Sequence, residues 1–421
     1  SLGDDLVTLS GGEGALIIFD DGLAGEISGD VALNVPGLST TATFGVQINT
    51  TLRVIDKTII TINEVAVTVK KVPQGRFFRV EANEVEIDIA GQTLKGNFIF
   101  EQRPDGNIHF SASNVSLNIG DGVVTVGGGA GGFEINRDGI VGGLSIQDFD
   151  FTVPGVELGT GEVRVEVNTR PQEVTGEFNF GGGPEMLTLP GGPYVRVALL
   201  DTSLTLVGLT VGGSAASLSG DFFFDQAGGV TRLAMSKVSA AVEVDGSGAM
   251  LTNGGGALVI LPSGVAGVVQ GKVDVALPGI DAGATIFIRI NNTGTTVDEI
   301  VRLGAREITV LFGVDEENLF QVTLDGLSLN IADVITVEGS FSFVSRGDLQ
   351  VAAGQNVTIF IGAGPAFLAD GNLNSEARGI LIDQATVGIV KENTAGGTLY
   401  AVSATGRVRV VGLPEITLEG T

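Results

Sequence analysis

Leu218-Ser219-Gly220-Asp221-Phe222-Phe223-Phe224-Asp225-Gln226 is the stretch on which the fold turns, because its pattern returns twice. Leu94-Lys95-Gly96-Asn97-Phe98-Ile99-Phe100-Glu101-Gln102 matches it almost residue for residue, and Val337-Glu338-Gly339-Ser340-Phe341-Ser342-Phe343 is a third copy. The three glycines are separated by 124 and 119 residues. A shorter form, glycine with large apolar residues two and four places on, stands at Gly29, Gly161, Gly176, Gly271 and Gly406. Alternation after a glycine places every second side chain on one face, the period of a half-buried β-strand. Each marker predicts one strand of a repeated sheet.

Longer alignments set the period. Residues 12–37 align without a gap on 254–279; Gly14, Ala15, Leu16, Gly22, Gly25, Val31 and Pro36 are among the positions identical to their partners 242 residues on. An intermediate copy ends in Val153-Pro154-Gly155, so Pro36, Pro154, Pro278 and Pro414 mark one point in successive units. An Asn/Thr turn follows the first three, at Asn49-Thr50-Thr51, Asn168-Thr169-Arg170 and Asn292-Thr293-Gly294. This register divides the chain into a partial repeat over 1–72, repeats over 73–190 and 191–316, and a truncated last repeat with an insertion over 317–421. Both ends then read as cuts through a longer array.

Within one period the punctuation separates seven strands, over 77–89, 93–102, 108–119, 123–136, 140–153, 159–167 and 173–180. Asp-Gly and Asn-Gly pairs between several of them favour tight hairpins, so neighbours should be mainly antiparallel. No segment sustains a helical spacing of apolar residues. The expectation is an all-β chain of tandem repeats, 117 to 136 residues long, in an elongated array. Two arrangements satisfy it: β-sandwich units in series, or one continuous curled sheet.

Composition narrows the function classes. Of 421 residues, 65 are Gly and none is Cys or Trp, which removes disulfides and thiol chemistry. With 49 acids against 23 bases the formal charge is −26, so nucleic acid and anionic membranes are repelled at long range. No apolar run approaches the ~20 residues of a membrane helix. The single His, His109, sits inside an expected strand with no nucleophile to serve, and the acids fall at turns or alternate along strand faces. No enzyme is expected. The glycine runs at 127–132 and 181–183 lack the Lys-Ser/Thr of a phosphate loop and are read as bulges or close strand approaches.

Calcium is the one ionic candidate, because hard cations take carboxylate and carbonyl oxygens from acidic loops. Asp20, Asp21, Asp121, Asp138 and Asp315 stand in such loops, although neither an EF-hand nor a β-roll nonapeptide is present. Turn residues on an acidic surface are the plainer account of them.

Tandem, Cys-free, acidic, Gly- and Asp-rich β copies resemble the repeat regions of very large bacterial surface and extracellular proteins, such as adhesin stalks and extracellular fibres. The resemblance covers the whole chain and implies a structural or adhesive role outside the cell. Its partners would be neighbouring repeats of the same or identical chains, joined end to end. One alternative is a lipid-carrying hydrophobic β-groove lined by Phe98, Phe100, Phe178, Phe180, Phe222 and Phe224; ordinary core burial is the favoured account of these residues, because a sheet needs one buried face anyway. A second is a calcium-stabilised carbohydrate- or surface-binding module.

Overall fold

A computed structural model describes residues 7–33, 38–40, 43–56, 58–62, 65–69, 71–102, 108–120, 122–152, 156–159, 161–179, 184–211, 214–227, 229–244, 247–303, 306–368, 370–394, 397–412 and 419–420. The chain opens with β1 (Val7–Phe19), β2 (Gly22–Leu33), β3 (Leu38–Ser39), β4 (Thr43–Asn49) and a hairpin of β5 (Thr58–Ile62) and β6 (Val65–Val69). The first full copy supplies β7 (Phe77–Ile89), β8 (Gln92–Gln102), β9 (Ile108–Ile119), β10 (Val124–Asn136), β11 (Gly139–Ser145), β12 (Asp148–Phe151), β13 (Val156–Leu158) and β14 (Glu162–Asn168). It ends in a hairpin of β15 (Val174–Asn179) and β16 (Pro184–Leu189). The second contributes β17 (Tyr194–Val211), β18 (Ser214–Ala227), β19 (Val230–Val244), β20 (Ser247–Leu261), β21 (Gly264–Leu277) and β22 (Ile280–Asn291), then a hairpin of β23 (Val297–Leu303) and β24 (Arg306–Phe312). The third contains β25 (Leu319–Ile331), β26 (Ile335–Arg346), β27 (Leu349–Ala363), β28 (Arg378–Thr394) and β29 (Gly397–Val411), with β30 (Glu419–Gly420) after it.

The all-β expectation is met, and of the two arrangements the continuous sheet is the one found. Among the described residues twenty-four strands form a single antiparallel sheet, in which neighbouring long strands follow chain order and skip the hairpins. The ladder passes through positions 72, 190 and 316 without a break, because β4 pairs with β7, β14 with β17, and β22 with β25. Among the described residues only the three hairpins stand outside it, each as a two-stranded sheet of its own.

The sheet turns back so that the apolar faces of the first and second copies meet. Phe98, Phe100 and Phe110 from the first share one core with Phe222, Phe224 and Leu233 from the second. Phe151 meets Phe224 edge-on at 5.4 Å, and Phe100 stacks on Phe110 at 4.4 Å. At the rim, Gln92 donates to the Gln226 carbonyl at 2.8 Å, and the Gln226 side chain accepts from the Gly120 N–H at 3.3 Å. Burying the alternate face of each strand is what stabilises a sheet whose outer face is polar.

A row of bulges crosses this sheet. On the first strand of each copy Glu84, Asp201 and Gly326 are left-handed (φ 56°, 49° and 64°); on the third strand Asn114, Lys237 and Asn356 are (52°, 53° and 52°). The fourth strand repeats this at Gly128, Asn253 and Gln384. Each lies where the ladder shifts register, as a residue inserted into one strand requires. Between the first and third strands, on the second, sit Gly96, Gly220 and Gly339.

Candidate functional site: an open apolar face on the third copy

The marker glycines stand where the bulged neighbours crowd. A Cβ at Gly96 would lie 3.0 Å from Val115 Cα; at Gly220, 2.9 Å from the Ser236 carbonyl oxygen; at Gly339, 3.0 Å from Val357 Cα. Gly339 also has φ 145°, a region that side chains avoid. Gly29 on β2 pairs with Phe44, and Gly271 on β21 pairs with Ile286. Gly176 instead lies in the β15–β16 hairpin, apart from the main sheet. Pro278 is an exposed turn residue between β21 and β22; Pro36, Pro154 and Pro414 lie outside the described residues.

The Asn/Thr turns clamp the hairpins onto the sheet. Asn49 donates to the Arg53 and Pro73 carbonyls at 2.8 Å each, while its own carbonyl accepts from Thr51 N–H at 2.8 Å. Asn168 repeats this with Gln172, Pro190 and Arg170, and Asn291 with Thr295, Glu316 and Thr293. The next residue pins the sheet hairpin: Thr50, Thr169 and Asn292 accept from the Leu23, Ile140 and Val265 N–H groups. The third clamp therefore begins at Asn291, one residue before the expected start at Asn292. Clamped this way, β15–β16 packs Phe178 and Leu189 on Val141, and β23–β24 packs Val301, Val310 and Phe312 on the outer face of β19–β21.

A cleft of about 270 Å³ of mixed polar and apolar lining runs beside these hairpins, with Tyr194, Arg196, Asp225, Arg232 and Arg302 among its lining residues. Glu166 is buried between Arg164 at 2.7 Å and Arg196 at 2.6 Å, and Arg196 lies over the Tyr194 and Phe223 rings. Arg232 joins Glu299 at 2.7 Å and Asp225 at 3.6 Å, and Arg302 joins Glu307 at 3.3 Å. Burial pushes the Asp225 carboxyl up, against the pull of Arg232. Because all three lining guanidiniums already hold carboxylates, the cleft fastens hairpins to sheet and presents no unneutralised cation to an anionic ligand.

The calcium candidates do not converge. Asp20 and Asp21 both pair with Arg53, at 2.9 and 3.2 Å; Asp138 is exposed in the β10–β11 turn, and Asp315 is exposed beside the β24 end. Asp121 lies outside the described residues. Among the described residues no group of three or more carboxylate or imidazole side chains is arranged to hold a metal. His109 is exposed on β9, across from Glu101 on one side and Glu134 on the other.

What distinguishes the third copy is an uncovered apolar face. One row, Ile288-Val322-Phe343-Ala352-Ile389-Val402, crosses β22 and β25–β29 in register, and a second, Ile286-Leu324-Phe341-Gly354-Val387-Ala404, runs beside it. From these rows Val322, Leu324, Phe341, Phe343, Ala352, Gly354, Val387 and Ile389, together with Val337, Val357 and Ile359, line a largely apolar trough of about 350 Å³. At one end the next row, Ile290-Phe320-Ser345-Gln350-Lys391-Tyr400, is polar only across β26–β28 and keeps apolar side chains at its flanks. The reverse face carries Thr323 against Ser342 and Asp325 against Ser340, as a solvated face does. Phe343 is 37% exposed, Ile389 41% and Val402 68%, whereas Phe98, Phe100, Phe222 and Phe224 are at most 1% exposed. Alternation in sequence marks both situations alike; only the presence of a covering copy separates them.

No helix among the described residues is long and apolar enough to cross a membrane. The chain matches no family model, no curated protein and no solved structure.

Proposed function

We propose that the chain is a structural repeat segment of an extended assembly at the cell surface or outside the cell, supplying length and stiffness. The observation that carries this reading is the unbroken ladder: three copies contribute to one sheet, and β22 hands on to β25 across a copy boundary as β14 hands on to β17. Stability in such an array comes from contacts between neighbours, so copies add without redesign. Inserting a second 191–316 unit after residue 316 tests it by small-angle scattering. The maximum dimension should grow while melting is retained. An unchanged dimension, or a radius of gyration near the ~24 Å of a compact globule of the enlarged chain, refutes it.

A lipid-carrying β-groove is the second reading, and it draws on the trough alone. The filled interior of the first two copies weighs against it, since Phe98, Phe100 and Phe110 close the lane that a carrier would keep open along its length.

A further inference from the structure

We propose that the open apolar face of the third copy docks a second copy of this chain, third copy against third copy. The inference rests on the structural reading above and names the partner of that array.

The argument is an internal comparison. Phe341 and Phe343 follow Gly339 as Phe222 and Phe224 follow Gly220, and as Phe98 and Phe100 follow Gly96. In the first two copies these side chains are buried because the like face of the other copy covers them. In the third the same strand positions form the trough, and Phe343 stays 37% exposed, with no covering copy over it among the described residues. The surface is also continuous with the existing interface: Val269 packs against the main core, pairs with Ile288 on the next strand, and Ile288 begins the exposed row. A surface that has already closed on its own kind within the chain fits another of its kind between chains. Two identical faces meeting about a two-fold axis make a closed, isologous contact. A contiguous apolar face of this kind on a folded protein marks an interaction site.

Charge sets the conditions. A chain with a formal charge of −26 repels its own copy, so docking should strengthen with ionic strength as that repulsion is screened. Pairing at the free edge of β29 is a different contact. Among the described residues only Val408 and Arg409 of that edge are paired outward, and Leu399 lies beside the open part.

The experiment measures mass in solution against concentration, at low and at physiological salt, for residues 1–421 and two variants, with hydroxyl-radical footprinting of Phe343 and Ile389. Docking predicts doubling of mass that is favoured by salt, with Phe343 and Ile389 protected in step. Phe343→Glu should abolish the doubling while melting like the parent, since Phe343 is already part-exposed, and Leu399→Lys should leave it intact. Open-ended growth blocked by Leu399→Lys alone overturns the face-to-face contact while leaving the structural array standing. A monomer with Phe343 accessible at every concentration overturns it as well. So does a monomer whose protected trough releases lipid on extraction, and that result removes the structural reading with it.

Discussion

Asn168→Ala should open one hairpin and leave the rest of the sheet closed. The Asn168 side chain is fully buried and makes three hydrogen bonds: to the Gln172 carbonyl at 3.0 Å, to the Pro190 carbonyl at 2.6 Å, and from the Arg170 N–H at 2.9 Å. At about 1 kcal/mol net for each, the loss is about 3 kcal/mol before any penalty for the backbone groups left unpaired. Since ~1.4 kcal/mol is tenfold in an equilibrium constant, the open population of the hairpin should rise by about two orders of magnitude. Hydrogen exchange read by mass spectrometry is the suitable assay, because a repeat array opens by parts and a single melting temperature would average the effect. Residues 174–189 should exchange faster in the variant, while 297–312, held by Asn291, should not change. Asn291→Ala should reverse the pattern. If 174–189 exchanges as in the parent, the clamp does not hold the hairpin and the reasoning fails.

Gly220→Val forces a branched side chain against the Ser236 carbonyl, at 2.9 Å from Cβ alone, and should cost about 1–3 kcal/mol in thermal or denaturant unfolding; an unchanged melt would show that the bulge yields freely. Glu166→Ala leaves Arg164 and Arg196 without their shared buried carboxylate and should destabilise by about 3–5 kcal/mol, which a denaturant titration would detect. Hydrogen bonding from Arg289 holds the Glu316 carboxyl below the usual glutamate range, so its contribution is present above that range and lost as pH falls through the lowered value. Glu316→Gln should therefore be less stable than the parent at neutral pH and converge with it in acid; a constant difference refutes the assignment. Asp225 runs the other way, being raised by burial: it favours the fold below the ordinary aspartate range, and that stability is lost as pH rises through the raised value. Chelation should leave the melting curve unchanged, since Asp20 and Asp21 are occupied by Arg53; a lowered melting temperature would restore calcium to the account.

The strand positions were legible because alternation is a local property. The expectation of 77–89 and 108–119 coincides with β7 and β9, and 93–102 falls one residue short of β8. Where the expectation ran on through 140–153, the chain bends between Ser145 and Asp148 to make β11 and β12, which both pair with β10. Residues 173–180 alternate like any strand, yet β15 pairs with β16 and leaves the sheet; period alone does not say which partner a strand takes. The clamp was missed by one residue because Asn291 and Asn292 stand together and only geometry separates the carbonyl-binding side chain from the one that caps Val265. The candidate face was out of reach for a further reason. Phe224 and Phe343 have the same local sequence setting, and what differs is the distant copy that covers the first and not the second.

The row of left-handed bulges has a consequence for how so repetitive a chain finds its own partners. Near-identical strands threaten to pair one copy out of place, or to slide by two residues, which keeps every apolar side chain on its proper face and so escapes correction by burial. The extra residue at Asn114 or Lys237 works like the ward of a lock. A slid neighbour would bring a side chain, instead of Gly96 or Gly220, against the thickened point of the adjoining strand, and the ladder could not close on either side. Mispairing by two is thereby punished sterically where hydrophobicity is blind to it. Copies can thus diverge or multiply while each strand still recognises its seat.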